Sequence, residues 1–81
     1  MKNEIVKYIN NMNKSDIVNY CKKNNISISN NELDILYDFI KNKYDIFFNN
    51  PNNFFNDLKS LISLNLYNNI LELYDKYKIF I

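Results

Sequence analysis

The spacing of apolar residues along the first third of the chain predicts two short helices. Apolar side chains recur at intervals of three and four over residues 3–11 and again over about 14–24, which places them on one face of an α-helix. Asn13 or Ser15 can cap the second helix at its start. The Asn-Asn pair at 24–25 can end it, because asparagine tolerates the left-handed backbone conformation that closes many helices. The two stripes consist of Ile5, Tyr8, Ile9 and Met12, then Ile17, Val18, Tyr20 and Cys21.

The middle of the chain predicts a short extended connector that leads into a central helix. Ile26-Ser27-Ile28-Ser29 alternates apolar and polar residues, so both isoleucines are expected to point inward. Ser29 and Glu32 have the spacing of a capping box. The helix that they start, over about 30–43, carries apolar side chains on two nearly opposite sides. Because such a helix is normally covered by other helices, we expect it at the centre of the fold.

Two further helices are predicted in the second half of the chain. Residues 45–49, Asp-Ile-Phe-Phe-Asn, interrupt the helical spacing, and we expect an irregular loop there. Asn50-Pro51 then provides a cap and a favourable first residue for a helix over 51–62. Ser63 can cap a last helix over about 65–77.

These elements together predict an all-α fold. We expect a compact bundle of four to five short helices packed around the central helix near residues 30–43. No internal repeat and no long linker divides the sequence. Residues 1–81 are therefore predicted to form a single small helical domain.

The residues that are missing restrict the chemistry more than the abundant ones. The chain has 18 Asn but no Ala, Gly, Thr, Gln, Arg, Trp or His. A/T-rich coding accounts for this bias, since Gly, Ala and most Arg codons need G or C. Without His there is no histidine general base or imidazole ligand, and without Gly there is no glycine-rich phosphate loop. We therefore predict that the protein is not an enzyme and binds no cofactor.

The lysines of the N-terminal third support an alternative, nucleic-acid hypothesis. The formal net charge of +1 is too small to indicate a nucleic-acid or membrane partner by itself. Lys14, Lys22 and Lys23 could nevertheless form a basic edge around the 26–29 connector, as in small helix–extension–helix nucleic-acid modules. Those modules usually have a stronger positive patch, often with Arg to bind phosphate. Solvated lysines are the simpler interpretation.

Cys21 and the carboxylates of the third helix offer little catalytic or metal chemistry. Cys21 follows Ile17 and Val18 at helical spacing, which predicts a buried structural thiol. Asp34 and Asp38 share a helix face, but a divalent cation needs more converging oxygens, so we predict no metal site. The absence of a secretory signal and of an apolar run long enough for a membrane span predicts a cytoplasmic protein without a membrane partner.

Several segments together resemble a known family. A Lys/Asn-rich turn, Tyr20-Cys21-Lys22-Lys23-Asn24-Asn25, runs into the Ile26-Ser27-Ile28-Ser29 connector. Ile46-Phe47-Phe48-Asn49 follows the central helix, and Ile62-Ser63 leads into Ile70-Leu71-Glu72-Leu73-Tyr74. In these features the chain resembles the YqfT-like family of small uncharacterised proteins of low-G+C bacteria, which carry a domain of unknown function. The resemblance implies a small helical fold and brings no known activity.

Aromatic side chains provide the candidate binding surface. Ridges of Tyr and Phe that exceed what a small core can hide mark partner surfaces, although they could instead fill the core of a chain that lacks Ala. The C-terminal pair Phe80-Ile81 could dock on its own core or on a partner. We predict a non-catalytic protein-interaction module that binds another protein or itself. Its predicted contact residues are Phe47, Phe48, Tyr67, Leu71, Tyr74, Tyr77 and Phe80.

Overall fold

Every regular element of the described part of the chain is helical. The computed structural model describes residues 2–80, without the side chains of Lys2, Tyr77 and Phe80. This confirms the predicted all-α bundle. The elements are α1 (Lys2–Asn11), α2 (Lys14–Lys23), α3 (Asn30–Asn42), α4 (Tyr44–Asn49), α5 (Pro51–Lys59), α6 (Leu64–Tyr77) and a final 3₁₀-helix (Lys78–Phe80).

Side-chain caps fix where four of the helices begin, as the sequence predicts. At α2, Asn13 Oδ1 accepts the backbone N–H of Asp16 at 3.0 Å, and Asp16 Oδ2 accepts the N–H of Asn13 at 2.9 Å. Each such bond satisfies a backbone group that has no partner inside the helix. The residues that cap the starts of α3, α5 and α6 are Ser29, Asn50 and Ser63.

Asn25 turns the chain from α2 into the connector, also as predicted. Its φ of 56° lies in the left-handed region, which asparagine adopts more readily than most residues. The N–H of Ile26 then donates to the carbonyl of Cys21 at 2.8 Å and closes the helix end. Ile26 and Ile28 are half-buried and pack against both hydrophobic clusters of the protein. The inward orientation predicted for these two isoleucines is confirmed.

Residues 44–49 form a helix where the sequence pattern predicts an irregular loop. α4 follows α3 after the single residue Lys43, whose N–H still donates to a carbonyl of α3. Ile46 and Phe47 of α4 pack against the larger hydrophobic cluster. This packing stabilises a helix that is too short to show a periodic pattern or to form alone. The loop prediction for Phe47 and Phe48 is therefore wrong.

The fifth helix is shorter than predicted. It ends at Lys59 instead of continuing to residue 62. The N–H of Leu61 donates to the carbonyl of Leu58 at 3.0 Å, so the chain tightens into a turn. Ile62 packs against the larger cluster, whereas Leu61 is 48% exposed.

Two hydrophobic clusters hold the helices together, with α3 at the centre. α3 packs against α1, α2 and α4, and α5 packs against α4 and α6. The central position predicted for the third helix is thus confirmed. The buried residues of the larger cluster are Leu36, Phe39, Phe54, Phe55, Leu58, Leu66 and Tyr67. Those of the smaller cluster are Met12, Ile17 and Cys21.

Candidate functional site

An apolar groove lies between α1 and α6. Because α1 packs on α3 and α6 packs on α5, α3 and α5 form a floor between the two outer helices. Two adjoining cavities, of about 340 and 290 Å³, make up this α1–α6 groove. The side chains that line both cavities are Ile40, Phe54, Ile70 and Leu73.

The first cavity extends from the shared residues towards α2. Leu58 and Leu66 close its base, and each is only 1% exposed. The base of the groove is therefore the main core itself, and not a loose contact between helices. The α1–α2 side of this cavity consists of Tyr8, Met12, Asp16, Ile17, Tyr20 and Cys21.

The second cavity extends in the other direction, towards α4. Its walls are aromatic on the α4 side, where Tyr44 and Phe47 face Phe55 of α5 and Tyr74 of α6. Ile9 of α1 completes the lining. Together the two cavities give an elongated apolar surface that both outer helices border.

Asp16 is the only charged residue among the described side chains that line the two cavities. Its Oδ2 atom already accepts the backbone N–H of Asn13 as part of the α2 capping box. The other polar groups of the lining belong to tyrosines and to Cys21. A surface of this composition suits apolar side chains and offers no cation for a phosphate or carboxylate.

Two tyrosines on the α1–α2 side of the groove are unusually exposed for their size. Tyr8 is 66% exposed and Tyr20 is 43% exposed, although both line the first cavity. Large amphipathic side chains beside an apolar groove are typical of contact surfaces, where tyrosine is enriched.

Cys21 lies in the first cavity as a buried thiol, which confirms its predicted location. Its side chain belongs to the smaller hydrophobic cluster and is 5% exposed. Burial raises the pKa of the Cys21 thiol above its ordinary value of about 9.0, because an apolar environment disfavours the thiolate. A thiol in this state is a poor nucleophile.

The aromatic residues predicted as a partner surface do not form one exposed face. Tyr67 is 7% exposed and belongs to the larger core cluster, so its assignment to a surface is wrong. Leu71 and Tyr74 are half-buried against the same cluster. The side chains of Tyr77 and Phe80, and all of Ile81, lie outside the described residues, so the docking of the C-terminus stays a prediction.

The contacts of Phe47 explain why part of the predicted aromatic surface is buried in the protein instead of exposed. The α4 helix brings its ring within 5.4 to 6.0 Å, centroid to centroid, of the rings of Phe54, Phe55 and Tyr74. Phe48 is half-buried beside it, at 5.4 Å from the Phe47 ring. These edge-to-face contacts fill the core with aromatic groups. A role for Phe48 or Tyr74 in partner binding stays a prediction.

The three lysines of the nucleic-acid hypothesis are separated along α2. Lys14 is the first residue of that helix and Lys22 and Lys23 are the last, a separation of about 12 Å along the axis. Lys14 Nζ lies 2.7 Å from Asp34 Oδ1 and 5.5 Å from the centre of the Tyr37 ring. Lys22 and Lys23 are exposed. Lys14 thus has an acidic partner beside it, in an exposed pair, and lies at the opposite end of the helix from the other two lysines.

The two aspartates of α3 also have partners within the protein. Asp34 pairs with Lys14, and Asp38 Oδ1 accepts a hydrogen bond from the Asn42 side chain at 2.7 Å. Across the described residues, no three thiol or carboxylate groups come together as a set that could hold a metal ion. Nor does any helix in that part of the chain have the length and apolar character required to cross a membrane.

Sequence reasoning missed the groove because it depends on how helices are placed in space. The helical stripes already contained Tyr8, Ile17, Tyr20 and Cys21, but a stripe does not say whether its residues meet a neighbouring helix. A usable signal was the presence of two tyrosines in the apolar stripes of consecutive helices. Tyrosine tolerates partial exposure, so it commonly marks the edge of a buried face.

The resemblance to the YqfT-like family stays a prediction, because only the sequence segments that suggested it support it. Comparison of the chain with known proteins found no matching family model, no matching curated protein and no matching solved structure.

Proposed function

We propose that this chain is a non-catalytic protein-interaction module that receives apolar side chains of a second polypeptide in the α1–α6 groove. The observation that carries the proposal is an elongated apolar groove with exposed tyrosines on one edge. This site replaces the predicted aromatic surface as the candidate binding face, although it shares Phe47 and Tyr74 with it. As part of the proposal we keep the cytoplasmic location inferred from the sequence.

The composition of the groove favours a polypeptide over a small polar ligand. Small-molecule sites usually add a few convergent polar groups that fix the orientation of the ligand. In this lining the Asp16 carboxylate is engaged by Asn13, and Cys21 is buried. An elongated groove lined mainly by apolar side chains is typical of sites that accept the apolar face of an amphipathic helix.

The same lining supports the non-catalytic part of the proposal. General acid–base chemistry needs titratable groups placed within hydrogen-bond reach of a reacting atom. Among the described lining residues, the groups most suited to such chemistry are Asp16 and Cys21, and the pKa of the Cys21 thiol is raised by burial. The nucleic-acid alternative receives less support, because Lys14 is already paired with Asp34.

Site-specific photo-crosslinking in the native host tests the proposed function. A photoreactive benzoylphenylalanine in place of Tyr8 is expected to give a polypeptide adduct, because Tyr8 stands at the edge of the groove. The matched control places the same probe at Asn56, an exposed residue of α5 that lines neither cavity. Equal adducts from both positions, or none from position 8, would contradict the proposal.

A substitution in the wall of the groove provides a second test of the proposed function. Leu73 is half-buried and lines both cavities, so Leu73→Glu places a charge on the wall of the groove. The variant is expected to remove the position-8 adduct while its circular dichroism spectrum stays helical. Persistence of the adduct in a folded Leu73→Glu protein would show that the partner binds elsewhere.

A further inference from the structure

We infer that α1 is a movable wall of the α1–α6 groove, which swings away from α3 to admit the partner. The movement turns about residues 12–13, the short link between α1 and α2. This inference rests on the proposed function, because it describes how a polypeptide reaches the floor of the same groove. Three features of the structure support it: the size of the cavities, the few buried contacts of α1, and a surface hydrogen bond that fastens the end of this helix.

The two cavities are too small to take one face of a helix as they stand. They measure about 340 and 290 Å³, which is room for single side chains. Two turns of an α-helix with their side chains fill about 1,000 Å³, for a diameter of about 11 Å. Tyr8 of α1 lines the first cavity, and Ile9 of the same helix lines the second. Outward movement of this one helix therefore widens both cavities together.

Among its described side chains, α1 has few that hold it on the rest of the protein. Ile9 is 9% exposed, and Met12, directly after the helix, is 8% exposed in the smaller cluster. Neither belongs to the larger cluster, which joins α3, α5 and α6. With ten residues, α1 is also shorter than a helix that is stable by itself in water. A segment with so few buried contacts can leave its neighbours without unfolding of the larger cluster.

A hydrogen bond at the surface fastens the end of α1. Lys41 Nζ of α3 donates to the backbone carbonyl of Asn10 at 2.7 Å. Carbonyls in the last turn of a helix have no partner inside the helix and carry partial negative charge, so lysine is a favourable donor there. The same ammonium lies 5.7 Å from the centre of the Tyr37 ring on α3. Because the bond is exposed, both groups can bind water when it breaks.

The link between the helices lets α1 move without disturbing α2. Asn13 has an extended backbone, with φ −120° and ψ 174°, and its side chain accepts the N–H of Asp16. The start of α2 is thus fixed by its own capping box and needs no contact from α1. A hinge of one or two residues between two helices is a common way to absorb such a movement.

Reaction of Cys21 with a thiol reagent measures the movement in the full chain. Cys21 is the single cysteine of the sequence, is 5% exposed and lines the first cavity beside Tyr8 and Met12. We expect 5,5′-dithiobis(2-nitrobenzoic acid) to label it slowly, at a rate that low urea concentrations hardly change, because a local opening exposes little surface. A rate that rises with urea as steeply as global unfolding would overturn the inference.

Removal of the surface bond provides the matched comparison. Lys41→Met should speed the labelling of Cys21 about threefold to tenfold, the range expected for the loss of one hydrogen bond. Lys41→Arg keeps a cationic donor and should label close to the wild-type rate. Lys59→Met is the control for the change of charge, since Lys59 is an exposed residue of α5 that lines neither cavity. Equal rates in Lys41→Met and Lys59→Met would contradict the role of α1.

The adduct formed in the native host separates this inference from the proposed function. The adduct from benzoylphenylalanine at position 8 should increase when Lys41→Met is added, because the open groove is then populated more often. An unchanged yield despite faster labelling of Cys21 would overturn the inference and leave the proposed function standing. If neither protein gives an adduct, the proposed function fails, and the inferred role of the movement fails with it.

Discussion

At the scale of single residues, Glu32 links two helices that are distant in sequence. Its Oε1 atom accepts the backbone N–H of Ser29 at 3.1 Å, and its Oε2 atom accepts the backbone N–H of Ser63 at 2.8 Å. One carboxylate therefore serves the starts of both α3 and α6. The capping box at Ser29 could be predicted from the local spacing. The bond to Ser63 could not, because it requires the fold to bring the two helix starts together.

Replacement of Glu32 should therefore destabilise the protein more than an ordinary surface change. Glu32→Gln keeps one acceptor oxygen but no charge, so one of the two backbone N–H groups loses its acceptor and the other keeps only a neutral one. We expect a loss of about 1 kcal/mol in the free energy of unfolding, measured by urea denaturation. Glu72→Gln, on the exposed side of α6, is the matched control and should change stability little. Equal losses in the two variants would contradict the assignment.

The same contacts predict how stability depends on pH. The hydrogen bonds from the Ser63 and Ser29 backbone lower the pKa of Glu32 below its ordinary value of about 4.5. A carboxyl whose pKa is lower in the folded state than in the unfolded state stabilises the fold above that ordinary value. This contribution is lost as the pH falls through the lowered pKa. The stability difference between wild type and Glu32→Gln should thus be present at neutral pH and shrink in acid; a difference independent of pH would argue against it.

At the scale of helices, the caps could be predicted from the sequence, whereas the short helix α4 could not. The caps at Asn13, Ser29, Asn50 and Ser63 involve residues within one helical turn, so the sequence contains all the information they need. α4 has six residues, which is too few for a periodic pattern to be read with certainty. α4 is stabilised because its inward-facing side chains contact α5 and α6. That contact depends on the three-dimensional fold and cannot be read from local sequence spacing.

Two phenylalanines of α4 provide a test of this explanation. The Phe47 ring contacts Phe54, Phe55 and Tyr74 from the neighbouring helices. Phe47→Ala should therefore cost roughly 2 kcal/mol or more of unfolding free energy. Phe48→Ala, at the next position of the same helix, should cost clearly less, because among the described residues Phe47 packs against the larger hydrophobic cluster and Phe48 does not. Chemical denaturation measures both; a larger loss at Phe48 would refute the packing described for α4.

At the scale of the whole molecule, self-association and stability should be coupled. A partner that binds only the folded chain stabilises it by mass action. If the partner is a second copy, the melting temperature of wild type should rise with protein concentration. Tyr8→Glu, which places a charge at the edge of the groove, should melt at a temperature that depends less on concentration. Leu64→Glu, at an exposed residue that lines neither cavity, should behave as wild type. Differential scanning calorimetry at several concentrations checks this, and a melting temperature of wild type that stays constant would count against self-association.

The two walls of the groove rest on different hydrophobic clusters, and this has a consequence for motion. α6 is anchored by Leu66 and Tyr67 in the larger cluster, whereas α2, which lines the first cavity on the side of α1, is anchored by Ile17 and Cys21 in the smaller one. Units with fewer buried contacts open at lower free energy than the rest of a protein. Amide hydrogens of α2 should therefore exchange with solvent faster than those of α5 and α6. The groove could then widen on one side, to admit a bulky side chain, while the main core stays closed.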